Sequence, residues 1–168
     1  MRNRTKAMVR CALFAALMAV CAWIAIPVPP VAVTLQSFAV LLALALLGGR
    51  QGTAAIAVYL AVGLVGMPVF AGFRGGAGAL LDASGGFLWG FLAGGCVYRA
   101  LERLGRLPAM AGCMAAVYLC GSFWFCRYAA VSAGQAVLVC VVPFLIPDVV
   151  KLWLAWIISG RIGRRLAE

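Results

Sequence analysis

Long apolar segments follow one another along the chain, and clusters of Pro, Gly and Arg separate them. A helix that crosses a bilayer needs about 20 predominantly apolar residues, and lipid leaves a chain few structures other than a helix. We predict helices at about residues 7–26, 34–48, 52–67, 85–101, 108–126 and 134–160. The expected fold is therefore an all-α membrane protein, a bundle of six transmembrane helices that forms a single domain over residues 1–168.

The composition agrees with lipid as the outer solvent. Hydrophobic residues make up 66% of the 168 residues and charged residues 11%, and the mean hydropathy is +1.09. A water-soluble domain of this length needs more polar residues than this to cover its surface. The basic residues lie at the ends of apolar segments, which is typical of membrane topology and argues against nucleic acid as a partner.

The basic residues also predict the orientation of the bundle, because cytoplasmic connections are enriched in Lys and Arg. An even number of helices places both termini and every second connection on one side. Eleven basic residues fall on that side: Arg2, Arg4, Lys6, Arg10, Arg50, Arg99, Arg103, Arg106, Arg161, Arg164 and Arg165. The opposite side has Arg74 and Arg127. Both termini are therefore predicted to be cytoplasmic, and the long connections on the outer face are where we expect a binding site.

The sequence contains no combination of residues that indicates a metal or cofactor site. There is no His, and the seven Cys residues lie in or beside apolar runs without a CxxC spacing. Cysteines in this setting usually act as small, buried apolar residues. We expect no metal, no cofactor and no enzymatic activity, since a Ser–base constellation is also missing.

The segment PFLIPDVVK, residues 143–151, contains an acid and a base inside an apolar run. Ionisable residues inside a membrane are costly and are candidates for function. Asp148 and Lys151 are three residues apart, which places them on one face of a helix. Pro143 and Pro147 are expected to break the helix just before Asp148, and broken helices in membranes often line a substrate cavity. The alternative is that Asp148 is the N-cap of the helix after the break and that Lys151 pairs with it.

The loop AGFRGGAGALLDASGG, residues 71–86, lies on the predicted outer side. Gly72, Gly75 and Gly76 permit turns in which a ligand approaches main-chain N–H groups closely. Arg74 is a cation suited to a carboxylate, and the loop is then a lid over an outward-facing pocket. The alternative is a solvated, flexible loop in which Arg74 points to water.

Two further polar residues are candidates for the same pocket. Gln36 lies at the start of the second predicted helix. Its amide either hydrogen-bonds a polar group of a ligand or acts as a polar cap at the membrane interface. Tyr59, inside the third predicted helix, is either a packed aromatic residue or a hydrogen-bonding group of the pocket. The sequence alone leaves both alternatives open.

The first predicted helix has small residues at a spacing of four. Ala12 and Ala16 form one such pair, and Ala15 and Ala19 form another. Faces of this kind let membrane helices pack closely. They serve either internal packing or contact with a partner subunit.

Several motifs, in this order and spacing, resemble the BioY family of biotin-specific substrate-binding (S) components of energy-coupling-factor transporters. Residues 28–72 are similar to the family's segment from the first helix connection through the third helix, with TLQ, LLGGRQG and GLVGMPVF as its markers. SGGFLWGFLAG, residues 84–94, resembles the start of the family's fourth helix. PFLIPDVVK resembles its PFxPxDxxK-type segment, so the resemblance covers nearly the whole chain.

This resemblance implies a six-helix bundle in the prokaryotic plasma membrane, with a biotin site near the outer face. It implies that Asp148 and Lys151 contact biotin. Their chemistry is compatible, because Asp148 can accept from the ureido N–H groups and Lys151 can donate to the ureido carbonyl. The fused rings and the valeryl chain need apolar walls, for which Trp23, Phe70 and Phe87 are candidates.

Arg74 is the loop cation available to the biotin carboxylate. The loop departs here from the family pattern, because the family commonly has GPTGGY where this chain has DASGGF, residues 82–87. The change removes a Gly and a Pro and adds an acid. Asp82 can pair with Arg74 and weaken its contact with a carboxylate.

The resemblance also implies partners. S components bind substrate without hydrolysing ATP, and a module of a transmembrane coupling subunit and two cytosolic ATPase subunits supplies the energy. The alanine face of the first helix becomes a candidate contact with the coupling subunit. The alternatives for function are an S component for another vitamin, a membrane enzyme and a purely structural subunit.

Overall fold

The computed structural model describes residues 2–27 and 31–165, and α-helices dominate it. The α-helices of these residues are α1 (Arg2–Trp23), α2 (Gln36–Leu64), α3 (Ala77–Leu81), α4 (Gly85–Leu101), α5 (Arg106–Tyr128), α6 (Ala133–Cys140) and α7 (Val142–Arg165). Two short strands, β1 (Ala25–Ile26) and β2 (Val33–Thr34), pair antiparallel between α1 and α2. The helical class is confirmed, whereas the hydropathy pattern does not predict the β1–β2 ribbon.

The first helix is displaced towards the N-terminus relative to the prediction. It covers Arg2–Trp23 rather than about residues 7–26, so the basic N-terminal residues continue the helix beyond its apolar part. The chain then enters β1. Residues 28–30, which belong to the predicted Pro-rich end of the helix, lie outside the described residues.

α2 consists of two antiparallel halves, because the chain reverses direction at Gly48. This residue has a φ of 79° and a ψ of 162°, which glycine adopts without the steric penalty of a side chain. Gln36 and Tyr59 are 23 residues apart and yet form a hydrogen bond of 2.9 Å. A straight helix would separate them by about 35 Å. The halves of α2 therefore correspond to the helices predicted at about 34–48 and 52–67.

Four helices among the described residues are long and apolar enough to cross a membrane: Arg4–Trp23, Gln36–Leu64, Arg106–Tyr128 and Val142–Ile162. The second of these includes both halves of α2. Large apolar side chains point outward, with Leu119 72% exposed on α5 and Ile146 79% exposed on α7. Such faces agree with lipid as the surrounding solvent.

α4 and α5 pack closely along a row of glycines. Gly86, Gly90 and Gly94 are four residues apart, so they lie on one face of α4. A Cβ at Gly94 would lie 2.8 Å from the Cys113 Sγ, and a Cβ at Gly90 would lie 3.1 Å from the Val117 Cα. Small residues at this spacing let helix backbones approach closely in lipid. The row thereby holds α5 against α4.

The last predicted helix, residues 134–160, is divided into α6 and α7, which meet at Val141. Pro143 lies in the first turn of α7, where a missing N–H costs little. Pro147 lies inside α7 without ending it. The prediction of a break just before Asp148 is therefore wrong, because the break precedes both prolines.

Hydrogen bonds group the helix connections at two ends of the bundle. At one end, the Gly49 N–H donates to the Glu102 carboxylate at 2.8 Å, which joins the turn of α2 to the α4–α5 connection. At the other end, the Trp23 Nε1 donates to the Pro68 carbonyl at 2.9 Å, which joins the end of α1 to the loop after α2. The Gly-rich loop lies at this second end.

Candidate ligand site

A cavity lies at the end of the bundle that carries the Gly-rich loop. It encloses about 840 Å³, counting the part that is open to solvent. The residues that line it are Val31, Ala32, Thr34, Gln36, Ser37, Phe70, Ala71, Arg74, Ala79, Asp82, Ser84, Phe87, Leu88, Phe91, Met114, Val117, Tyr118, Phe144, Asp148 and Lys151.

Asp148 lies in the wall of this cavity and accepts hydrogen bonds at both carboxylate oxygens. Its Oδ1 accepts from the Lys151 Nζ at 2.7 Å and from the Ser37 Oγ at 3.0 Å. Its Oδ2 accepts from the Tyr118 hydroxyl at 2.7 Å. A carboxylate oxygen accommodates about two donors. Oδ2 therefore has capacity for one more.

Lys151 uses all three of its ammonium protons in the protein. Besides Asp148, its Nζ donates to the Thr34 carbonyl at 2.7 Å and to the Ser37 Oγ at 3.2 Å. Asp148 and Lys151 are each only 7% exposed. A buried ion pair needs this degree of hydrogen bonding to offset the loss of water.

The alternative that Asp148 is an N-cap is wrong. Asp148 lies inside α7, whose first residue is Val142. Its hydrogen-bond donors are side chains of α2, α5 and α7 rather than the backbone N–H groups of a helix start. The carboxylate is thus directed at the centre of the bundle.

Tyr59 determines which way the Gln36 amide points. The Tyr59 hydroxyl donates its only proton to the Val69 carbonyl at 3.0 Å. It can then only accept from Gln36, whose Nε2 lies 2.9 Å away. The Gln36 Oε1, for which the described residues supply no donor, is left as an acceptor in the cavity wall. Tyr59 itself is 1% exposed and does not line the cavity.

Aromatic rings form part of the cavity wall. Phe87 and Phe144 stack with their centroids 6.1 Å apart, and both line the cavity. Phe70 also lines it and meets Tyr59 edge-on at 5.5 Å. Trp23, a predicted wall residue, does not line the cavity and stacks instead on Phe73 at 5.1 Å.

Arg74 lines the cavity and forms an ion pair with Asp82. Its Nη2 also donates to the Ser84 Oγ at 3.3 Å, and its Nε donates to the Ala71 carbonyl at 3.2 Å. Half of the Arg74 side chain is exposed. The Gly-rich loop is therefore ordered around this ion pair, and it contains the short helix α3.

The three loop glycines shape the loop and do not line the cavity. Gly72 and Gly76 have φ angles of 70° and 84°. Gly75 passes the Met67 carbonyl too closely for a side chain. The glycines therefore determine the path of the loop, and their contact with a ligand stays a prediction.

The alanines of α1 divide between two environments. Ala15 and Ala19 are 8% and 7% exposed and pack in the core. Ala12 and Ala16 lie on the exposed face of the same helix. Internal packing therefore applies to Ala15 and Ala19, and contact with a partner subunit stays a prediction for Ala12 and Ala16.

Sequence reasoning missed several residues of the site, among them Ser37, Tyr118 and Phe144. Ser37 directly follows Gln36, and a polar pair at the start of an apolar helix was a usable signal. Phe144 belongs to the PFLIPDVVK segment. Tyr118 stands in an apolar run of α5 without a motif, and only the packing of α5 reveals its contact with Asp148.

The comparisons with known proteins agree with each other. The whole chain, residues 1–168, matches the family model described as BioY family. A biotin transporter BioY of Thermotoga maritima is 36% identical over 166 residues, which covers 96% of this chain and 98% of that protein. A probable biotin transporter BioY of Pyrococcus horikoshii is 38% identical over 156 residues, which covers 90% and 92%.

A solved structure also matches closely. It is a crystal structure of the S-component for biotin from an ECF-type ABC transporter, with a TM-score of 0.89 and 25% sequence identity. The match covers 97% of this chain and 93% of that one. The chain belongs to the BioY family.

Proposed function

We propose that the chain takes part in biotin uptake as the biotin-binding S component of an energy-coupling-factor transporter. Relatives that match nearly its whole length are named biotin transporters, and the matching solved structure is an S-component for biotin. On the molecule itself, the observation that carries the proposal is the buried Asp148–Lys151 pair in the cavity wall. The chain is a transport protein and not an enzyme.

The acceptors of the cavity suit the two N–H groups of a ureido ring. One lone pair remains on the Asp148 Oδ2, and the Gln36 Oε1 is a second acceptor. The ring carbonyl needs a donor, which Lys151 supplies after exchanging one of its neutral partners. The Ser37 Oγ, at 3.2 Å, is the most distant of its three partners and the first to be exchanged.

The remaining predicted residues support this site in different ways. Phe87 contributes an apolar wall for the fused rings, together with Phe144. Arg74 enters the site as an ion pair with Asp82. Tyr59 orients Gln36. The loop glycines Gly72, Gly75 and Gly76 give the lid its path over the cavity. No cofactor or metal takes part in this proposal.

The topology that we propose has six crossings, with both termini in the cytoplasm of a prokaryotic cell and the cavity near the outer face of the plasma membrane. The halves of α2 count as two crossings, and α1, α4, α5 and α7 supply the others. The excess of basic residues on one side supports this orientation. The grouping of connections at two ends of the bundle supports the alternation of crossings.

The proposed partners are a transmembrane coupling subunit and two cytosolic ATPase subunits. The contact with the coupling subunit falls on the exposed alanine pair of α1, Ala12 and Ala16. Small exposed residues let another membrane helix approach closely. The buried pair, Ala15 and Ala19, holds α1 to its own bundle.

Titration calorimetry of the purified protein with biotin and a panel of other vitamins tests the proposal. We expect biotin alone to bind tightly. Asp148→Asn should weaken biotin binding by about 2–4 kcal/mol, because it leaves a ligand N–H and Lys151 poorly paired in a buried site.

The matched control is Glu102→Gln, which also removes a carboxylate charge but lies at the far end of the bundle. It should leave biotin affinity unchanged. Tight binding of a different vitamin would favour the alternative of an S component for that vitamin. Unchanged biotin affinity in Asp148→Asn would refute the assignment of the pair.

A further inference from the structure

The charges in the cavity wall balance in two ion pairs. Of the residues that line the cavity, two are basic and two are acidic, namely Arg74, Lys151, Asp82 and Asp148. Lys151 pairs with Asp148, and Arg74 pairs with Asp82. Among the lining residues, no cation is therefore left without a carboxylate of the protein itself. A ligand that carries its own carboxylate meets a site without net positive charge.

Asp82 is held in place for this pairing by contacts other than Arg74. Its Oδ1 accepts from the Ser84 backbone N–H at 2.7 Å and from the Ser84 Oγ at 2.8 Å. The Trp124 Nε1 donates to the Asp82 carbonyl at 2.9 Å, which ties this position to α5. Asp82 also lies just before the start of α4, where a helix favours negative charge. The Asp82 carboxylate is thus held in position by groups other than Arg74.

Each nitrogen of the Arg74 guanidinium already donates a hydrogen bond within the loop. The Nη1 donates to the Asp82 carboxylate, the Nη2 donates to the Ser84 hydroxyl, and the Nε donates to the Ala71 carbonyl. Bidentate pairing with a carboxylate is the interaction for which arginine is best suited. Asp82 supplies one carboxylate oxygen to the Nη1 from within the chain, and the Ser84 hydroxyl takes the place of a second oxygen at the Nη2. A ligand carboxylate would have to compete for Arg74 with an acid that is already oriented.

We propose that Asp82 makes this protein indifferent to the free carboxyl group of its ligand. The site recognises the ureido ring and the fused rings, and it accepts the acid, its esters and its amides with similar affinity. Asp82 is a specificity-determining residue in this view, because it takes the place of the ligand carboxylate on Arg74. The inference rests on the proposed binding of biotin.

Competition between the two carboxylates is the physical reason. A biotin carboxylate is ionised at neutral pH, so it gains little from an Arg74 that is already neutralised, and Asp82 repels it. An ester or amide has no charge to repel and loses no ion pair. Removing the charge of Asp82 should therefore raise the affinity for the acid and leave the affinities for the ester and the amide unchanged.

The test measures the affinities of biotin, biotin methyl ester and biotinyl-lysine amide by titration calorimetry. For the wild-type protein we expect the three affinities to agree within about threefold. Asp82→Asn keeps an acceptor for Ser84 and frees Arg74, so biotin should bind about tenfold more tightly while the ester does not change. Arg74→Ala leaves Asp82 unpaired and should weaken biotin relative to the ester.

Arg127→Gln is the matched control, since it removes a cation of the same end of the bundle that does not line the cavity. It should leave all three affinities unchanged. The double variant Arg74→Ala, Asp82→Asn should again bind acid and ester alike, which excludes misfolding as the cause of the single effects.

Wild-type protein that binds biotin more than about tenfold more tightly than the ester, with a preference that Arg74→Ala abolishes, would overturn the inference and leave biotin binding intact. Failure of all three ligands to bind would overturn the proposed function and this inference together.

Discussion

Asp148 and Lys151 are stable inside an apolar bundle because each of their charged atoms has a partner. Removing one member of a buried ion pair typically costs about 3–5 kcal/mol, since the other charge is left without compensation. Here the hydroxyls of Ser37 and Tyr118 share the carboxylate, and the Thr34 carbonyl shares the ammonium group. These neutral partners are also groups that a polar ligand can replace without leaving a bare charge.

The orientation of the Gln36 amide gives a prediction at the residue scale. Tyr59→Phe removes the hydroxyl that accepts from the Gln36 Nε2, so the amide is free to turn its oxygen away from the cavity. We expect biotin affinity to fall by about 1 kcal/mol, the size of one neutral hydrogen bond. Titration calorimetry measures the effect.

Tyr128→Phe is the control for this change, because Tyr128 is exposed at the end of α5. A double-variant cycle identifies the mechanism. If Tyr59 acts through Gln36, Tyr59→Phe should have no further effect on affinity in a Gln36→Ala background. Additive losses would show that Tyr59 supports the site in some other way.

At the scale of secondary-structure elements, glycine determines how the helices meet. Gly48 reverses the chain within α2, and the row from Gly86 to Gly94 lets α5 approach α4. Both features bring cavity residues together: Gln36 and Ser37 come from the first half of α2, and Tyr118 comes from α5. The site therefore depends on close packing away from the cavity itself.

Gly94→Ala should lower the stability of the protein by about 1–3 kcal/mol, because its Cβ would lie 2.9 Å from the Cys113 carbonyl oxygen and α5 would have to shift. Thermal unfolding of the detergent-solubilised protein measures the change. Gly134→Ala is the control, since a Cβ there meets nothing within 4 Å. Equal melting temperatures for the two variants would contradict the importance of the glycine row.

At the scale of the whole molecule, the two ends of the bundle carry different features. One end holds the cavity, the β1–β2 ribbon and the Gly-rich loop, and the other carries the basic connections. α1 extends between them, with Ala15 and Ala19 buried and Ala12 and Ala16 exposed. A partner that docks on the exposed face of α1 thus contacts the bundle without entering the ligand site.

Ala16→Leu should weaken association with the coupling subunit and leave biotin affinity unchanged, because it enlarges an exposed small residue outside the cavity. Co-purification with the coupling subunit and its ATPase subunits, together with calorimetry, separates the two effects. The control is Ala115→Leu, which enlarges an exposed alanine of α5. Equal co-purification of both variants with the module would refute docking on α1.

Local sequence patterns predict some residues of the site, whereas its long-range contacts cannot be predicted in this way. The pairing of Asp148 with Lys151 follows from a spacing of three residues within one helix. Ser37 meets Asp148 across 111 residues of chain and Tyr118 meets it across 30, so no local pattern indicates either contact. The break at Val141 also escaped prediction, because prolines in the first turn or inside a membrane helix do not by themselves mark its end.

The sequence by itself determined that the chain is a helical membrane protein, which family it resembles and which acid and base lie inside its apolar segments. These properties depend on hydropathy, charge and short spacings, which are carried by neighbouring residues. The tertiary structure alone decided that Arg74 is paired with Asp82 and lines the cavity, that Tyr59 orients Gln36, and that one alanine pair of α1 is buried while the other is exposed. Such relations depend on how distant helices and loops pack together, and that packing is set by close approach in three dimensions.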